Sequence, residues 1–472
     1  MKTIWNYICD RVNETPQKTA ISYKQNDTVI HVTFSQFKED IAALAAHFQG
    51  AGQRRKKIVL MSENTYSFLV AAFGIMASDN ILIPLDARMN QESIDEITAR
   101  VQPDQILRCS EIPQIIEKNT PASGLTSDPS DTAMIMFTSG STGVSKGVCL
   151  TQNNLIADAV SSVEHALISA DSFRNLICLP MHHIFCFAVD VMWVVIKGCP
   201  LALNTSVIRI KDELREFDCS RVCMVPMMAE FLLTALDTEA RNHPETDRNL
   251  IRKTVLGEHF RRIILGGAFI EPKLREGLLS YGIEVICGYG MTEATGPVSS
   301  EEGAGARAGS VGDILPCNEV KIIDNEICIR GTNVMQGYYH DEQTTAEHLQ
   351  DGWLKTGDYG YIKDHYLYIT GKKKNLIITS NGENVSPEEL EKYLHESPMI
   401  REVICFQKDD QIQAVIYPDM ETFNQEALDA WVKSVNQRLP MYKQIRKYTV
   451  TDKELEKTSS MKIKRESYYF GA

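Results

Sequence analysis

The sequence predicts an α/β protein with largely parallel sheets, and three observations lead there. From about residue 20 to 300, short β-branched runs alternate with amphipathic stretches of helical period. Several of those runs end in glycine-rich turns. Composition is that of a soluble globular chain, with 472 residues, 43% apolar and 24% charged, long enough for about two to four domains.

In chain order, strands are predicted at Lys57–Leu60, Ile81–Leu85, Ala133–Phe137, Arg262–Leu265 and Glu284–Cys287, and helices at Phe37–Phe48 and Thr65–Ala77. Ligands in open α/β sheets sit beyond the carboxyl ends of strands. Three such ends carry small residues toward one expected crevice: the loop from Thr138, the pair Gly266-Gly267, and the turn Gly288-Tyr289-Gly290. From about 311 to 370 the spacing shortens. Val320–Ile323, Glu326–Ile329 and Tyr366–Ile369 read as short strands of a small β-rich subdomain. The basic run Lys372-Lys373-Lys374-Asn375 then divides the chain, giving an expected large domain over 1–371 and a smaller one over 375–472. The latter mixes helices (Pro387–His395, Gln425–Leu439) with strands (Val403–Phe406, Gln413–Tyr417), an α+β pattern.

A net charge of -13 argues against a nucleic-acid backbone as the main partner, so an anionic substrate must meet local basic groups. The twelve cysteines include no C-x-x-C pair and mostly sit in apolar runs, which fits free thiols in a reducing compartment. The most apolar stretch, Ile184 to Ile196, contains Asp190 and is too short to cross a bilayer. No apolar signal core follows Met1, and a cytoplasmic location is expected.

The chemistry concentrates in a few segments. Thr138-Ser139-Gly140-Ser141-Thr142-Gly143-Val144-Ser145-Lys146-Gly147 offers hydroxyls, permissive backbone and a cation, an anion cradle suited to polyphosphate. It is not a Walker A loop, because Gly147 rather than Ser or Thr follows Lys146. Taken alone, such a cluster is as often a plain flexible loop. In Gly288-Tyr289-Gly290-Met291-Thr292-Glu293 a flat ring, a hydroxyl and a carboxylate are offered to base, phosphate and Mg²⁺, although a tight turn with a structural tyrosine explains it as well. In Lys355-Thr356-Gly357-Asp358 the carboxylate suits two vicinal ribose hydroxyls, or simply caps a turn.

Order and spacing decide between these readings. The loop at 138–147, Tyr289–Glu293, Lys355–Asp358, Ile369–Ile377 and the terminal Met461-Lys462-Ile463-Lys464-Arg465 together resemble the adenylate-forming superfamily, across nearly the whole chain. Asn381–Pro387 and the terminal pattern look most like its long-chain acyl-CoA synthetases. The resemblance implies a large N-terminal domain of two αβ subdomains plus a β-barrel, a hinge, and a mobile C-terminal α+β domain. It implies ATP, Mg²⁺ and coenzyme A, a carboxylic acid substrate, and AMP and pyrophosphate as products.

Carried over, Thr138, Ser139, Gly140, Ser141, Thr142, Gly143 and Lys146 would hold the β- and γ-phosphates. Tyr289, between Gly288 and Gly290, would lie against adenine, with Gly266, Gly267, Ala268 and Met291 lining the nucleotide site. Thr292 would meet the α-phosphate, Glu293 the metal and Asp358 the ribose. Lys462 would bridge the attacking carboxylate and the α-phosphate. Two departures stand out. Lys372 replaces the family's junction arginine, exchanging a planar fork for a point charge, and Met461 precedes the catalytic lysine where many members have glycine. The hinge falls on Lys374. His183, Phe185 and Phe187 are expected at the acyl or thiol pocket. Amino-acid-activating relatives carry Asp where Phe185 stands, so an uncharged fatty or aryl acid is favoured. The acceptor is coenzyme A or, sharing every motif, a carrier-protein phosphopantetheine. A non-catalytic nucleotide-binding homologue is the third reading.

Overall fold

The computed structural model describes residues 2–26, 28–138, 145–166, 173–267, 270, 272–301, 305–378, 384–409, 411–457 and 463–469. It divides into two compact units, Met1–Val320 with Ile329–Leu354, and Lys321–Cys328 with Lys355–Ala472.

The first unit holds two sheets. One has six strands in the order Gly337–Tyr338, Lys146–Thr151, Thr132–Thr138, Ile81–Asp86, Lys57–Ser62 and Gln105–Arg108. Its last four strands are parallel, while Thr132–Thr138 and Lys146–Thr151 form an antiparallel hairpin. Helix Tyr66–Ala77 is apolar all round because it is enclosed, packing on the sheet with one side and on helix Phe34–Gly50 with the other. A methyl at Gly74 would come within 2.8 Å of Leu44, so the two helices meet at a bare backbone. Thr33, Thr65 and Thr151 each cap a following helix by accepting a backbone N–H, which sets where those helices begin.

The second sheet runs Leu201–Leu203, Asn175–Ile177, Arg221–Met224, Arg262–Leu265 and Glu284–Met291 in parallel, as the alternating pattern predicts. Its core includes Leu176, Val222, Ile263, Leu265 and Val285. One prediction needs correction. Gly288-Tyr289-Gly290 is not a turn: the strand continues to Met291 and pairs antiparallel with Gly296–Ser300. Glycine is needed there because a Cβ on Gly290 would sit 2.1 Å from the Gly296 carbonyl oxygen. The reversal comes later, at the short turn Thr292–Ala294, where Thr295 takes a left-handed φ of 62°. The apolar stretch from Ile184 is helical with a π-turn at Phe187–Val191, and among the described residues no helix is long and apolar enough to cross a membrane.

The second unit contains residues 355–363 paired antiparallel with Tyr366–Lys372, and a three-stranded sheet ordered Ile400–Lys408, Gln411–Pro418 and Lys447–Val450. Helices Pro387–His395 and Gln425–Arg438 cover that sheet over a core of Leu390, Leu394, Val403, Ile416, Leu428 and Val435. Near the chain end, Arg465 pairs through both terminal nitrogens with Glu391, whose carboxylate also accepts from the Cys405 amide at 2.7 Å. Burial pushes the Glu391 carboxyl up to about 7 despite Arg465. A carboxyl raised on folding from 4.5 to about 7 stabilises the fold most below the lower value, and that contribution is lost as pH rises through the higher one. In Glu391→Gln, the fall in unfolding free energy over that window is expected to flatten relative to the native chain, read by urea denaturation at stepped pH.

Candidate functional site

In the first unit the predicted groups come from strand ends. Thr138 and Lys146 face each other across the mouth of their hairpin, so the intervening loop springs from a paired base. The Lys146 ammonium lies 5.2 Å from the centre of the Tyr338 ring. The Tyr338 hydroxyl donates to Glu293 Oε1 at 2.9 Å. Burial, then the Glu293 charge, raise the Tyr338 phenol well above its ordinary value, so it stays a donor. Thr292, beside Glu293, is buried at the turn. The turn is fastened by Met335, whose amide donates to the Glu293 carbonyl at 2.9 Å, and by Asn333, whose side-chain amide donates to the Ala294 carbonyl at 3.0 Å. Lys146 and Glu293, 147 residues apart, thus meet on two sides of one tyrosine.

Gly266-Gly267 and Gly288-Tyr289-Gly290 leave adjacent parallel strands, since Leu265 is the register partner of Cys287. Gly267 has φ +81°, and a Cβ on Gly266 would stand 3.0 Å from the Phe185 ring, so that half-buried ring lies over the strand end. His183 is exposed and caps the short helix Ile184–Cys186, its Nδ1 accepting from the Phe185 amide at 3.3 Å. Phe187 is fully buried with its ring centre 6.4 Å from that of Phe73. The adjacent His182 sits between Ser62 and Asp86, and burial pushes its imidazole down to about 4.

In the second unit, Asp358 is buried and pairs in register with Lys372, whose ammonium lies 3.1 Å from its carboxylate. Gly357, at φ +71°, donates its amide to Glu326, which also binds Lys373 at 2.7 Å. Lys374 is exposed on the short turn Lys373–Asn375. Ser139, Gly140, Ser141, Thr142, Gly143, Ala268 and Lys462 lie outside the described residues.

Sequence reasoning missed two groups. Tyr338 is one; Gly337-Tyr338 carries no chemical signal until the fold pairs it with the strand of Lys146. The other is the Arg275–Glu301 pair, joined at 2.6 Å behind the Gly-Tyr-Gly strand. Glu301 also accepts the Cys287 amide at 2.8 Å, and Arg275 donates to the Cys287 sulfur, tying the base of the segment that bears Tyr289. Burial pushes the Cys287 thiol up to about 12, so it sits there as a neutral donor or acceptor.

Comparisons with known proteins identify the family. The model of the AMP-binding enzyme family matches residues 9–339, and that of the AMP-binding enzyme C-terminal domain matches residues 374–470. The chain belongs to the AMP-binding enzyme family. Its curated relatives include acyl-CoA ligases. The 2-succinylbenzoate–CoA ligase of Listeria monocytogenes is 28% identical over 98% of both chains. The long-chain-fatty-acid–CoA ligase FadD15 of Mycobacterium bovis is 26% identical over 92% of this chain and 90% of its own. Among solved structures, o-succinylbenzoate–CoA synthetase from Bacillus subtilis in complex with ATP and magnesium ion gives a TM-score of 0.81 at 25% identity, covering 98% of each chain. The same protein in complex with its acyl-adenylate gives 0.83 at 24%, covering 100% of this chain and 99% of that one.

The close approach at Gly290 is open to test. Gly290→Ala must push the Gly296 backbone away, and a loss of about 1–3 kcal/mol in urea unfolding is expected, with ATP binding weakened in calorimetry. An unchanged midpoint would show that the two strands separate freely.

Proposed function

We propose that the protein is an ATP-dependent acid–CoA ligase. It activates an apolar carboxylic acid as its acyl-adenylate, releasing pyrophosphate, and passes the acyl group to the thiol of coenzyme A. The observation that carries this reading is the meeting of Lys146 and Glu293, a phosphate-binding cation and a metal-binding carboxylate, around Tyr338. The family match supports it.

In the first step a carboxylate oxygen attacks the α-phosphorus of ATP and the bond to the bridging oxygen of pyrophosphate breaks. Lys146 and the 138–143 loop hold the departing charge, and Thr292 meets the α-phosphate. Tyr289 lies against adenine, with Gly266, Gly267, Ala268, Gly288, Gly290 and Met291 keeping the walls close. Asp358 binds the ribose, and Lys372 stands beside it as a point charge. Lys462 places positive charge where the transition state gathers negative charge. In the second step the thiol sulfur attacks the acyl carbonyl carbon and AMP leaves; rotation about Lys374 withdraws Lys462 between the steps.

Magnesium fits the donors present. Glu293 is half-buried, offers hard oxygens, and has one of them tied to Tyr338. That is the sparse protein contribution expected for Mg²⁺ shared with substrate phosphates, where it neutralises their charge.

For the acid, the ring of Phe185 over Gly266 supports an apolar group, fatty or aryl, and offers no carboxylate to pair with a substrate ammonium. Exposed His183 remains for the proposed acyl and thiol approach, whereas Phe187, fully buried beside Phe73, packs in the core instead of lining it.

Pyrophosphate release across a panel of fatty, aryl and amino acids, with and without coenzyme A, tests the reading. Acid-dependent release stimulated by coenzyme A is expected. Release indifferent to it would favour a carrier-protein acceptor, and none with any acid would refute catalysis. Lys462→Ala is expected to slow adenylation at least about a hundredfold while leaving thioester formation from supplied acyl-adenylate nearly intact; equal losses in both half-reactions would contradict the role.

A further inference from the structure

Among the described residues, neither Lys146 nor Glu293 forms an ion pair, although both contact Tyr338. Opposite charges brought to one side chain attract each other. The phenol intervenes: its hydroxyl donates to Glu293 Oε1 at 2.9 Å, and the ammonium of Lys146 stands over its ring at 5.2 Å.

We propose that Tyr338 is a positioning residue that insulates Lys146 from Glu293, so that the cation meets phosphate and the carboxylate meets metal instead of each other. The inference rests on the function proposed above. The tyrosine is built to stay in place. Its side chain is 7% exposed, its amide donates to Thr345 Oγ1 at 2.9 Å, and its ring meets His348 edge-on at 5.7 Å. Tyr338 is the register partner of Val148, two residues beyond Lys146, so ring and ammonium are set by one ladder. Gly337 has φ +148°, and a Cβ there would stand 2.7 Å from Thr345, so the backbone is locked on the other side too. The hydroxyl engages a single oxygen of Glu293 and fixes the carboxylate's orientation, leaving the second oxygen for a cation. Outer partners of metal ligands commonly alter metal affinity about 10–100-fold when removed.

Two variants separate the two contacts. Tyr338→Phe keeps the ring and deletes the hydroxyl; Tyr338→Leu deletes both. Metal affinity is read with Mn²⁺, by electron paramagnetic resonance on enzyme holding α,β-methylene-ATP. Nucleotide affinity without metal is read by calorimetry in EDTA, and thermal denaturation confirms folding. Tyr338→Phe is expected to weaken Mn²⁺ binding about tenfold with metal-free nucleotide affinity unchanged. Tyr338→Leu is expected to weaken both, as Lys146 collapses onto Glu293. Wild-type Mn²⁺ affinity in Tyr338→Phe overturns the inference, and so does wild-type metal-free nucleotide affinity in a folded Tyr338→Leu. Glu293→Gln distinguishes the levels. If it loses Mn²⁺ while Tyr338→Phe does not, the insulating role alone fails; if it retains Mn²⁺, the assignment of Glu293 fails and takes the inference with it.

Discussion

The site in the first unit depends on one backbone constraint, the triple alignment of Arg262–Leu265, Glu284–Met291 and Gly296–Ser300. Parallel pairing of the first two sends Gly266-Gly267 and Gly288-Tyr289-Gly290 out of the same edge. Antiparallel return of the third requires a bare Gly290. The reversal between them then delivers Thr292 and Glu293 with little freedom, since the turn is fastened to residues 333–335 by hydrogen bonds. Arg275 and Glu301 lock the base of the arrangement from behind.

Electrostatics works against the global charge of this chain. A net charge of -13 repels polyphosphate at long range, so attraction must be local and kept from self-neutralisation. Asp358 illustrates the opposite arrangement, for its carboxylate is already met by Lys372 at 3.1 Å. An arginine there would offer a planar fork; lysine offers one compact charge, more than half exposed.

Much was legible in advance because the signals were local. Arg262–Leu265 and Pro387–His395 form over the predicted residues, and Thr65 caps the helix that the apolar run Tyr66–Ala77 announces. The Gly-Tyr-Gly segment misled because glycine reports two different needs. A turn wants conformational freedom, whereas here the requirement is close approach of two backbones, and one-dimensional reading cannot separate them.

The sequence by itself determined the periodicity of strands and helices, the acidic balance, and the ordered motifs that carry the family resemblance, because each depends on neighbours in the chain or on residue identity. Only the tertiary structure decided that Tyr338 stands between Lys146 and Glu293, that Phe185 covers Gly266, and that Arg275 and Glu301 support the strand of Tyr289. Those meetings arise from strand pairing and helix packing between segments far apart in the chain, and no local property of a tyrosine or an arginine discloses which distant partner the fold will bring to it.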